Sequence, residues 1–516
     1  MRTLLLRTAF FCFATVSLVA LSSCGGGGGS SNPSGASGSS GGGTTGTTGA
    51  TTPNSILSGK YAFSFTGTVT SSGAPIFLAG SFTADGAGNI TSGVEDINQV
   101  GLSVSKNVTI SGTYSIGADG RGTLNITSGV TQTFKIAVEN GNHGQLIRFD
   151  TGAAGSGTFD LQSSSAFSLS SLSGKFAFAW NGSDSGGNPL SGIGEVSLSS
   201  GSATGAIDIN DAGNYTQGTA TGTLQSPDAN GHGTASFTYG TTALTYAYDI
   251  ISANRILLIE MDTTAGTVGE ADLQSATFTA ASLSGNYAFF LNGMSQGFGM
   301  VGQITTDGVS SISSSDSVEN NFGSLASGTF PGTYTLSPTV AGATLNGRFV
   351  MTATEPSAFT DNFVVYLVSP TQAFIMETDS DQLTFGELLT QTGSPYSSAS
   401  LNGNYGLNVT GLDGNGIEAD IVGQIDSTGT STLASGTLDI NDEDLTTPTI
   451  ANSAISAGSY SVTNTTTGHG TVSFTAAGAG FQFAFYFVSP SQAFMVQIDD
   501  NVFVTIGSAL AQPTIP

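Results

Sequence analysis

Short acidic segments recur along the chain and carry the oxygen atoms that a calcium ion needs. The residues with this potential are Asp208, Asn210, Asp211, Asp439, Asn441 and Asp442. Calcium takes roughly six to eight oxygen ligands, but the DxDxDG spacing of an EF-hand is absent. Strand alternation places Asp208 and Asn210 on an outward face, with the neighbouring isoleucines inward. We therefore expect an exposed polar face that ends in a turn, with calcium as the alternative, and no metal or other cofactor.

Three histidines, His143, His232 and His469, are the natural candidates for acid–base chemistry near neutral pH. Each lies beside glycine in a predicted turn, and Arg121 and Arg348 stand near corresponding places elsewhere in the chain. We expect solvated turn residues. A Ser-His-Asp triad stays open as an alternative that nothing in the sequence favours.

Four similar segments end on an aspartate, and two of them carry a glutamate two residues earlier. The aspartates are Asp150, Asp262, Asp379 and Asp499. Glu260 and Glu377 add a second carboxylate, and a glycosidase needs two carboxylates about 5–9.5 Å apart. Arg148 and Gln497 replace the glutamate in the other two segments, which excludes a shared mechanism. A structural role in a turn is expected instead.

Two short motifs match enzyme fingerprints by letters alone. Residues 297–302 fit GxGxxG, and residues 38–42 fit GxSxG. Both fingerprints require a strand that leads into a helix, whereas 297–302 falls in a predicted strand and 38–42 in a Gly/Ser-rich segment. Neither predicts a cofactor or a catalytic nucleophile, and we expect no enzymatic activity.

Composition favours strands and excludes nucleic acid as a partner. The 516 residues include 73 glycines, only 9% are charged, and 36 acidic residues face 10 basic ones. Phosphate binding depends on clustered Lys and Arg, yet residues 176–516 contain only Arg255 and Arg348 as permanent cations. The two cysteines, Cys12 and Cys24, lie at the N-terminus, so no disulfide framework is expected.

The first residues have the pattern of an export signal. Arg2 and Arg7 precede an apolar run of about 13 residues, too short for the roughly 20 that a spanning helix needs. The run ends in Leu21-Ser22-Ser23-Cys24, which resembles the lipobox of bacterial lipoproteins. The resemblance implies cleavage before Cys24 and acylation of that cysteine, such as by palmitate chains, which gives a lasting membrane anchor.

A Gly/Ser/Thr segment without charges follows Cys24 and predicts a disordered tether. At about 5–6 Å times the square root of its length, it spans roughly 30 Å. Gly25 and Gly26 follow the anchor cysteine, where an Asp would favour retention in the inner membrane of Gram-negative lipoproteins. We expect a lipid-anchored protein of the cell envelope, placed in the outer membrane.

The remainder consists of four copies of one unit. Similar openings begin at Leu57, Leu172, Leu283 and Leu401, and each copy ends with a Gly followed five residues later by a Gln. Periods above 100 residues indicate whole domains rather than solenoid repeats. The predicted organisation is a signal peptide at 1–23, a tether at 24–54, and β domains at 55–163, 171–275, 282–392 and 400–513.

Within each copy, side chains alternate as in a β-strand with one buried face. Tyr61, Phe63 and Phe65 share a face, and Gly- and Asp-rich turns separate about eight strands per copy. Gly-x-aromatic openings such as Gly59-Lys60-Tyr61 resemble those of calycins, the lipocalin and avidin group, which implies a closed barrel. We expect an all-β protein of four tandem antiparallel up-and-down barrels. An immunoglobulin-like sandwich is the alternative.

This organisation predicts a non-enzymatic binding, adhesion or spacer array, because linked modules gain from effective concentration. Its partners would be the membrane, through the anchor, and a glycan, a protein or a small apolar ligand. Two alternatives stay open, namely carriage of an apolar ligand inside each barrel and a cell-envelope hydrolase. Because the linkers are short, about eight residues at 163–170, we expect an extended row of semi-rigid domains.

Overall fold

The computed structural model describes residues 52–293, 297–354, 360–380, 382–445, 447–499 and 504–515. The predicted signal peptide, Cys24, most of the tether and the match at 38–42 lie outside the described residues. The described residues belong to one compact unit, Thr51–Pro516. No helix in these ranges combines the length and the apolar character that crossing a membrane requires.

Every copy folds as a sheet of antiparallel strands. Barrel 1 contains β1 (Ser58–Val69), β2 (Ala74–Asp85), β3 (Asn89–Gln99), β4 (Ser103–Thr109), β5 (Ser111–Ile116), β6 (Arg121–Thr127), β7 (Thr131–Asn140), β8 (His143–Arg148) and β9 (Ala154–Leu161). Barrel 2 contains β10 (Gly174–Asp184), β11 (Pro189–Ser199), β12 (Ser202–Asp211), β13 (Asn214–Leu224), β14 (His232–Tyr239), β15 (Thr242–Ser252), β16 (Arg255–Glu260) and β17 (Ala265–Leu273).

The third and fourth copies repeat this order. Barrel 3 contains β18 (Ser284–Gly293), β19 (Phe298–Asp307), β20 (Ser311–Asn321), β21 (Ser324–Gly328), β22 (Gly332–Leu336), β25 (Arg348–Thr354), β26 (Thr360–Ser369), β27 (Gln372–Glu377) and β28 (Phe385–Thr390), with a small hairpin of β23 (Thr339–Val340) and β24 (Ala343–Thr344). Barrel 4 contains β29 (Asn402–Leu412), β30 (Glu418–Thr428), β31 (Leu433–Asp442), β32 (Thr449–Ala454), β33 (Ser456–Val462), β34 (His469–Ala476), β35 (Ala479–Ser489), β36 (Gln492–Gln497) and β37 (Val504–Ala511).

The sheets close on themselves as up-and-down barrels. In barrel 2, each strand pairs with its sequence neighbours and β17 returns to β10. In barrel 1, β4 and β5 share one position, since β3 pairs with β4 over most of its length and with β5 at Asn89 and Ile90. β21 and β22 share one position of barrel 3 in the same way. In barrel 4, β32 pairs with β31, and an isolated bridge between Thr432 and Ser459 brings β33 to the beginning of β31, so each barrel has eight strand positions. The prediction of four tandem antiparallel barrels is confirmed, and the sandwich alternative does not form.

Short 3-10 turns precede the first strand of each barrel, at Pro53–Ile56, Ser164–Ala166, Ala280–Ser282 and Ser398–Ser400.

Each barrel has its own apolar core, built from the inward residues of the alternating strands. Tyr61, Phe63 and Phe65 of β1 are buried together, and Phe176 and Trp180 occupy the same places in β10. The interiors are nearly filled, because the cavities left inside barrels 2 and 3 measure about 50 and 30 Å³. A drug-sized ligand needs roughly 300 Å³ or more. These interiors therefore offer no room for a carried molecule.

The glycine that recurs near the end of each copy lets the strand at the eighth position, β9 in barrel 1, approach the first strand closely. A Cβ atom added at Gly157 would lie 1.9 Å from the carbonyl oxygen of Ser64 in β1. The same collision, at 1.8–2.0 Å, arises at the equivalent positions Gly269, Gly386 and Gly507. No other residue type fits there without displacing the strand.

The four barrels form a closed ring, so the expectation of an extended row is wrong. The second strand of each barrel packs against the end of the next barrel: β2, β19 and β30 against its last three strands, and β11 against β26 and β27. This includes barrel 4 against barrel 1, where Val422 contacts Ala137 and Ile147. The reason is that the outward faces of these strands also carry apolar residues, such as Val364 and Tyr366 against Ala177. An extended row would expose them to water.

Candidate functional site: the barrel interfaces and the axial cavity

One asparagine of the third strand joins each barrel to the next. The amide nitrogen of Asn98 donates to the carbonyl oxygens of Glu260, Asp262 and Ala265, at 2.8–3.0 Å. Equivalent bonds run from Asn210 to Glu377 and Asp379, from Asn320 to Gln497, and from Asn441 to Arg148 and Ala153. The last of these joins barrel 4 to barrel 1. The same amide contact therefore recurs at all four interfaces.

The glutamine that ends each copy makes a second repeated contact. Gln162 donates to the carbonyl oxygens of Asn230 and Ile250 in barrel 2, at 3.0 and 2.8 Å. Gln274, Gln391 and Gln512 bond the following barrel in the same way, and Gln512 reaches Val138 of barrel 1 at 2.9 Å. Buried carbonyl groups need such partners, so the recurrent Gln and Asn hold the ring together.

The acidic segments considered for calcium lie at these interfaces rather than on an exposed face. Asp208 and Asn210 are both 0% exposed, which corrects the prediction of a solvated polar face. Arg348 of barrel 3 binds both carboxylate oxygens of Asp208 at 2.8 Å. Arg121 of barrel 1 likewise binds Asp439 at 2.8 Å. The carboxylate oxygens of Asp208 and Asp439 therefore already have protein partners in place of an ion, and the side-chain amide of Asn441 is bonded to barrel 1.

The two other residues of the calcium set, Asp211 and Asp442, end strands β12 and β31. Burial, together with the nearby carboxylates of Asp413 and Asp444, raises the pKa of Asp442 to about 6. Among the described residues, acidic groups close enough to share one ion occur at Asp361, Glu377 and Asp379. None of the predicted calcium residues belongs to this group.

An arginine or histidine at the start of the fifth strand position faces an aspartate of the preceding barrel at every interface. The four pairs are Arg121 with Asp439, His232 with Asp96, Arg348 with Asp208, and His469 with Asp316. The exchange of Arg and His at these places, visible in the sequence, is therefore an exchange of one basic side chain for another that meets the same aspartate position.

His232 is the most enclosed of the histidines, at 6% exposed, so its prediction as a solvated turn residue is wrong. Its ring nitrogens lie 3.4 Å from Asp96 of barrel 1 and 3.4 Å from Asp249 of its own barrel. Burial alone would lower the pKa of His232, but Asp249 and Asp96 outweigh it and raise the pKa to about 9. The imidazolium form is thus favoured at the barrel 1–barrel 2 interface.

The surroundings of the histidines favour ion pairs over a Ser-His-Asp triad. A cleft of about 270 Å³ beside His232 includes Ser226 in its wall. Both nitrogens of His232 nevertheless face carboxylates rather than a serine hydroxyl. His143 pairs with Asp160 at 2.8 Å, and His469 stacks on Tyr486 with ring centroids 4.6 Å apart.

The aspartate that follows each seventh strand orders the backbone beside it. The carboxylate of Asp150 accepts a hydrogen bond from the backbone N–H of Thr133 at 2.8 Å. Asp262, Asp379 and Asp499 accept the same bond from the sixth strand of their barrels. The glutamates two residues earlier accept from threonine hydroxyls within the barrel, Glu260 from Thr267 and Glu377 from Thr384.

The GxGxxG match at 297–302 lies in and just before β19, and the strand continues into β20 rather than into a helix. Its central glycine packs against barrel 4, because a Cβ at Gly299 would lie 3.3 Å from Val496. The motif therefore serves the close approach of two barrels.

The ring encloses a cavity to which all four barrels contribute. It measures about 630 Å³, and we call it the axial cavity. Equivalent residues line it in layers. One layer is formed by His143, Arg255, Gln372 and Gln492, which begin the seventh strands, and a second by Thr158, Glu270, Glu387 and Ser508, which follow the recurrent glycines. A smaller cavity of about 360 Å³ adjoins it and shares Arg255, Glu270 and Glu387.

Acidic groups dominate the ionisable lining of the axial cavity. Arg255 contacts Glu270 at 2.5 Å, Asp160 at 3.6 Å and Asp272 at 3.8 Å. Burial raises the pKa of Glu387 to about 7, and the charge of Glu270 adds to that rise while Arg255 opposes it. Burial also raises the pKa of Asp272. Arg255 and His143, which pairs with Asp160, thus share the cavity lining with the carboxylates of Glu270, Asp272 and Glu387.

The axial cavity has no counterpart among the sequence predictions. Its lining residues come from four copies more than 100 positions apart, and no local motif connects them. The available signal was the recurrence of one position in four copies, namely the residue after the glycine, which is polar in all four: Thr158, Glu270, Glu387 and Ser508.

Comparisons with known proteins define no family for this chain. No family model matches it, and no curated protein matches it. Among solved structures, it is similar to kievitone hydratase from Nectria haematococca, with 8% identity over 44% of this chain and 91% of that chain, at a TM-score of 0.20. It is also similar to the isotype 1 transferrin binding protein B from serogroup B Neisseria meningitidis, with 10% identity over 73% and 82% of the two chains, at a TM-score of 0.20. Likenesses at these values carry no functional argument.

Proposed function

We propose that this chain is a lipid-anchored, non-enzymatic binding protein of the bacterial cell envelope, whose binding site is the axial cavity of the barrel ring. The observation that carries the proposal is that equivalent residues of all four barrels line one cavity of about 630 Å³. A volume of this size is typical of small-molecule sites. Carriage inside barrels 2 and 3 finds no support, since their interiors are nearly filled.

The closed ring favours binding over a spacer role. A spacer needs length, whereas four interfaces that each contain an Arg–Asp or His–Asp contact and an amide contact produce a compact and rigid assembly. Rigid walls reduce the entropy lost when a ligand is ordered in a cavity. The ring thus has the preorganisation of a binding site.

Thermal-shift measurements on the lipidated protein in detergent test the binding role. A panel of small cations, neutral molecules and anions is screened against wild type and against Thr158→Phe, which narrows the axial cavity. Thr219→Phe, at an exposed position of β13, is the matched control. We expect at least one compound to raise the melting temperature of wild type and of the control, and not of Thr158→Phe. No shift with any charge class, or an equal shift in Thr158→Phe, would reject the cavity as a binding site.

Mass spectrometry of the mature N-terminus tests the anchor separately. We expect a chain that begins at Cys24 and carries acyl chains, and we expect Cys24→Ser to release the protein from the membrane fraction. An unmodified cysteine in the membrane fraction would contradict the anchor.

A further inference from the structure

The unneutralised charge of the axial cavity lies on Glu387. Among the described residues, its carboxylate forms no ion pair or hydrogen bond, although it lines both the axial cavity and the adjoining smaller one. The nearest cation, Arg255, is held by Glu270, Asp160 and Asp272. Glu387 is half-buried. A carboxylate withdrawn from bulk water without a partner is costly, so the cavity favours a positive charge in addition to those of Arg255 and His143 in its lining.

Gln145 of barrel 1 adds a second unmet acceptor to the lining of the axial cavity. Its side chain is 4% exposed, and its amide nitrogen donates to Ser508 at 3.0 Å across the barrel 1–barrel 4 boundary. Its amide oxygen has no partner within the described part of the chain. Since buried amide oxygens are nearly always hydrogen-bonded, a ligand with N–H donors would complete this group.

Apolar side chains lie beside these acceptors in the same lining, since Phe290 pairs in register with Glu387 across β18 and β28, and Phe494 with Ser508 across β36 and β37. Phe290 of barrel 3 and Phe494 of barrel 4 meet edge to face, with ring centroids 5.0 Å apart, beside Leu389 and Leu510. Aromatic faces attract ammonium groups as well as hydrocarbon. The lining therefore combines acceptors for a charged donor with a surface for a carbon skeleton.

A bare metal ion fits this lining poorly. A calcium or magnesium ion needs several oxygen ligands at about 2.0–2.6 Å, converging on one point. Among the described residues, the acidic groups close enough together to share one ion are Asp361, Glu377 and Asp379, which lie outside the axial cavity. The carboxylates that line the cavity are too far apart to converge on a metal ion. A larger cation with its charge on nitrogen suits the spread acceptors better.

We infer that the axial cavity binds a small organic ammonium ion, with the charged nitrogen at Glu387 and Gln145 and its carbon skeleton against Phe290 and Phe494. This inference rests on the proposed function, since it assigns a ligand class to that same cavity.

Isothermal titration calorimetry with four probes tests the ligand class. The probes are 1,5-diaminopentane, the neutral 1,5-pentanediol, the anion glutarate, and calcium chloride. We expect the diamine to bind and the other three not to. Binding of the diol or glutarate but not the diamine would overturn the cationic assignment while leaving the cavity a binding site. Binding of calcium alone would replace the organic ligand with a metal. Binding of none would overturn the inference, and the broader panel screened against Thr158→Phe then decides the proposed function by itself.

A pair of charge-matched variants locates the site. Glu387→Gln preserves the shape of the side chain and should weaken diamine binding at least about tenfold. Asp426→Asn removes one negative charge outside the axial cavity and should leave the affinity unchanged. Melting temperatures of both variants verify folding. Equal weakening by the two variants would mean that net charge, not the cavity, attracts the ligand, and would overturn the assignment.

Discussion

The side-chain amide of Asn441 in barrel 4 donates a hydrogen bond to the backbone carbonyl of Arg148 in barrel 1, at 2.9 Å. Two residues 293 positions apart are thereby in direct contact, and the last copy closes on the first. The contact repeats the one that Asn98 makes with Glu260 between consecutive copies. The interface between barrels 4 and 1 thus uses the same amide-to-carbonyl hydrogen bond as the three interfaces between consecutive barrels.

Removing the closing amide should destabilise the protein. Asn441→Ala leaves the carbonyl oxygens of Arg148 and Ala153 without their partner in a buried interface, at a cost of about 1–3 kcal/mol. We expect a lower free energy of unfolding in urea and faster hydrogen exchange at the ends of β8 and β31. Asn214→Ala, at an exposed position of β13, is the control and should change the free energy by less than about 0.5 kcal/mol. Equal losses in the two variants would contradict the role of this contact.

The recurrent glycine of the eighth strand should not tolerate even one methyl group. In Gly157→Ala, the new Cβ would lie 1.9 Å from the carbonyl oxygen of Ser64, so the strand must move. Overpacking of this kind costs about 1–3 kcal/mol. Gly480→Ala in β35 is the matched control, because a Cβ there meets nothing within 4 Å. Chemical denaturation compares the two, and similar stabilities would refute the close-approach explanation.

The barrel 1–barrel 2 interface should weaken in alkali through His232. The carboxylates of Asp249, Asp96 and Asp228 raise the pKa of His232 from 6.5 to about 9 despite its burial, while Lys106 lies near Asp96. A pKa higher in the folded than in the unfolded chain gives stability that is complete below about pH 6.5 and is lost as the pH rises through 9.

The measurement is the free energy of unfolding of wild type and His232→Gln between pH 6 and pH 10. At pH 6 we expect wild type to be more stable by about 2–3 kcal/mol, and the difference to shrink as the pH approaches 10. Thr242→Ala, at an exposed site of β15, controls for general effects of substitution. A difference that stays constant across this range would contradict the assignment.

Binding of an organic ammonium ion should strengthen as the pH rises from 6 to 8. The pKa of Glu387 is raised to about 7 by burial and by Glu270, so the carboxylate ionises over this range. A cation prefers the ionised form, and its affinity should therefore increase about tenfold. Calorimetry of 1,5-diaminopentane at both pH values tests this, and Glu387→Gln should abolish most of the increase. An affinity independent of pH in wild type would exclude Glu387 as the group that meets the charge.

The sequence predicts the inside of each barrel well, because strand alternation is a local property. Tyr61, Phe63 and Phe65 repeat every second residue and are buried together. The outward faces are harder to interpret, since a residue that points away from one core can be buried against another. Asp208 was expected to face water, yet it is enclosed by Arg348 and Tyr366 of the next barrel.

Two clues to the ring were present in the sequence but required a three-dimensional context. Strand β26 carries Val364, Tyr366 and Val368 on its outward face, which is unusual for a strand with one solvated side. The recurrent Gln162 and its equivalents are polar residues kept at one position of every copy. Neither clue specifies which neighbour covers the strand or accepts the hydrogen bond, because that depends on the rotation between copies.

That rotation also fixes how many copies the chain can hold. Each interface joins two different surfaces of a barrel, so an open series of barrels leaves one of each uncovered at its two ends. These two surfaces cover each other only when the rotations between successive barrels add up to a full circle. With this interface the circle is complete at four, so deletion or duplication of a unit would expose both surfaces and invite polymerisation. The geometry is that of a tetramer whose four units are joined in one chain, so each copy can carry different residues on its own quarter of the central wall.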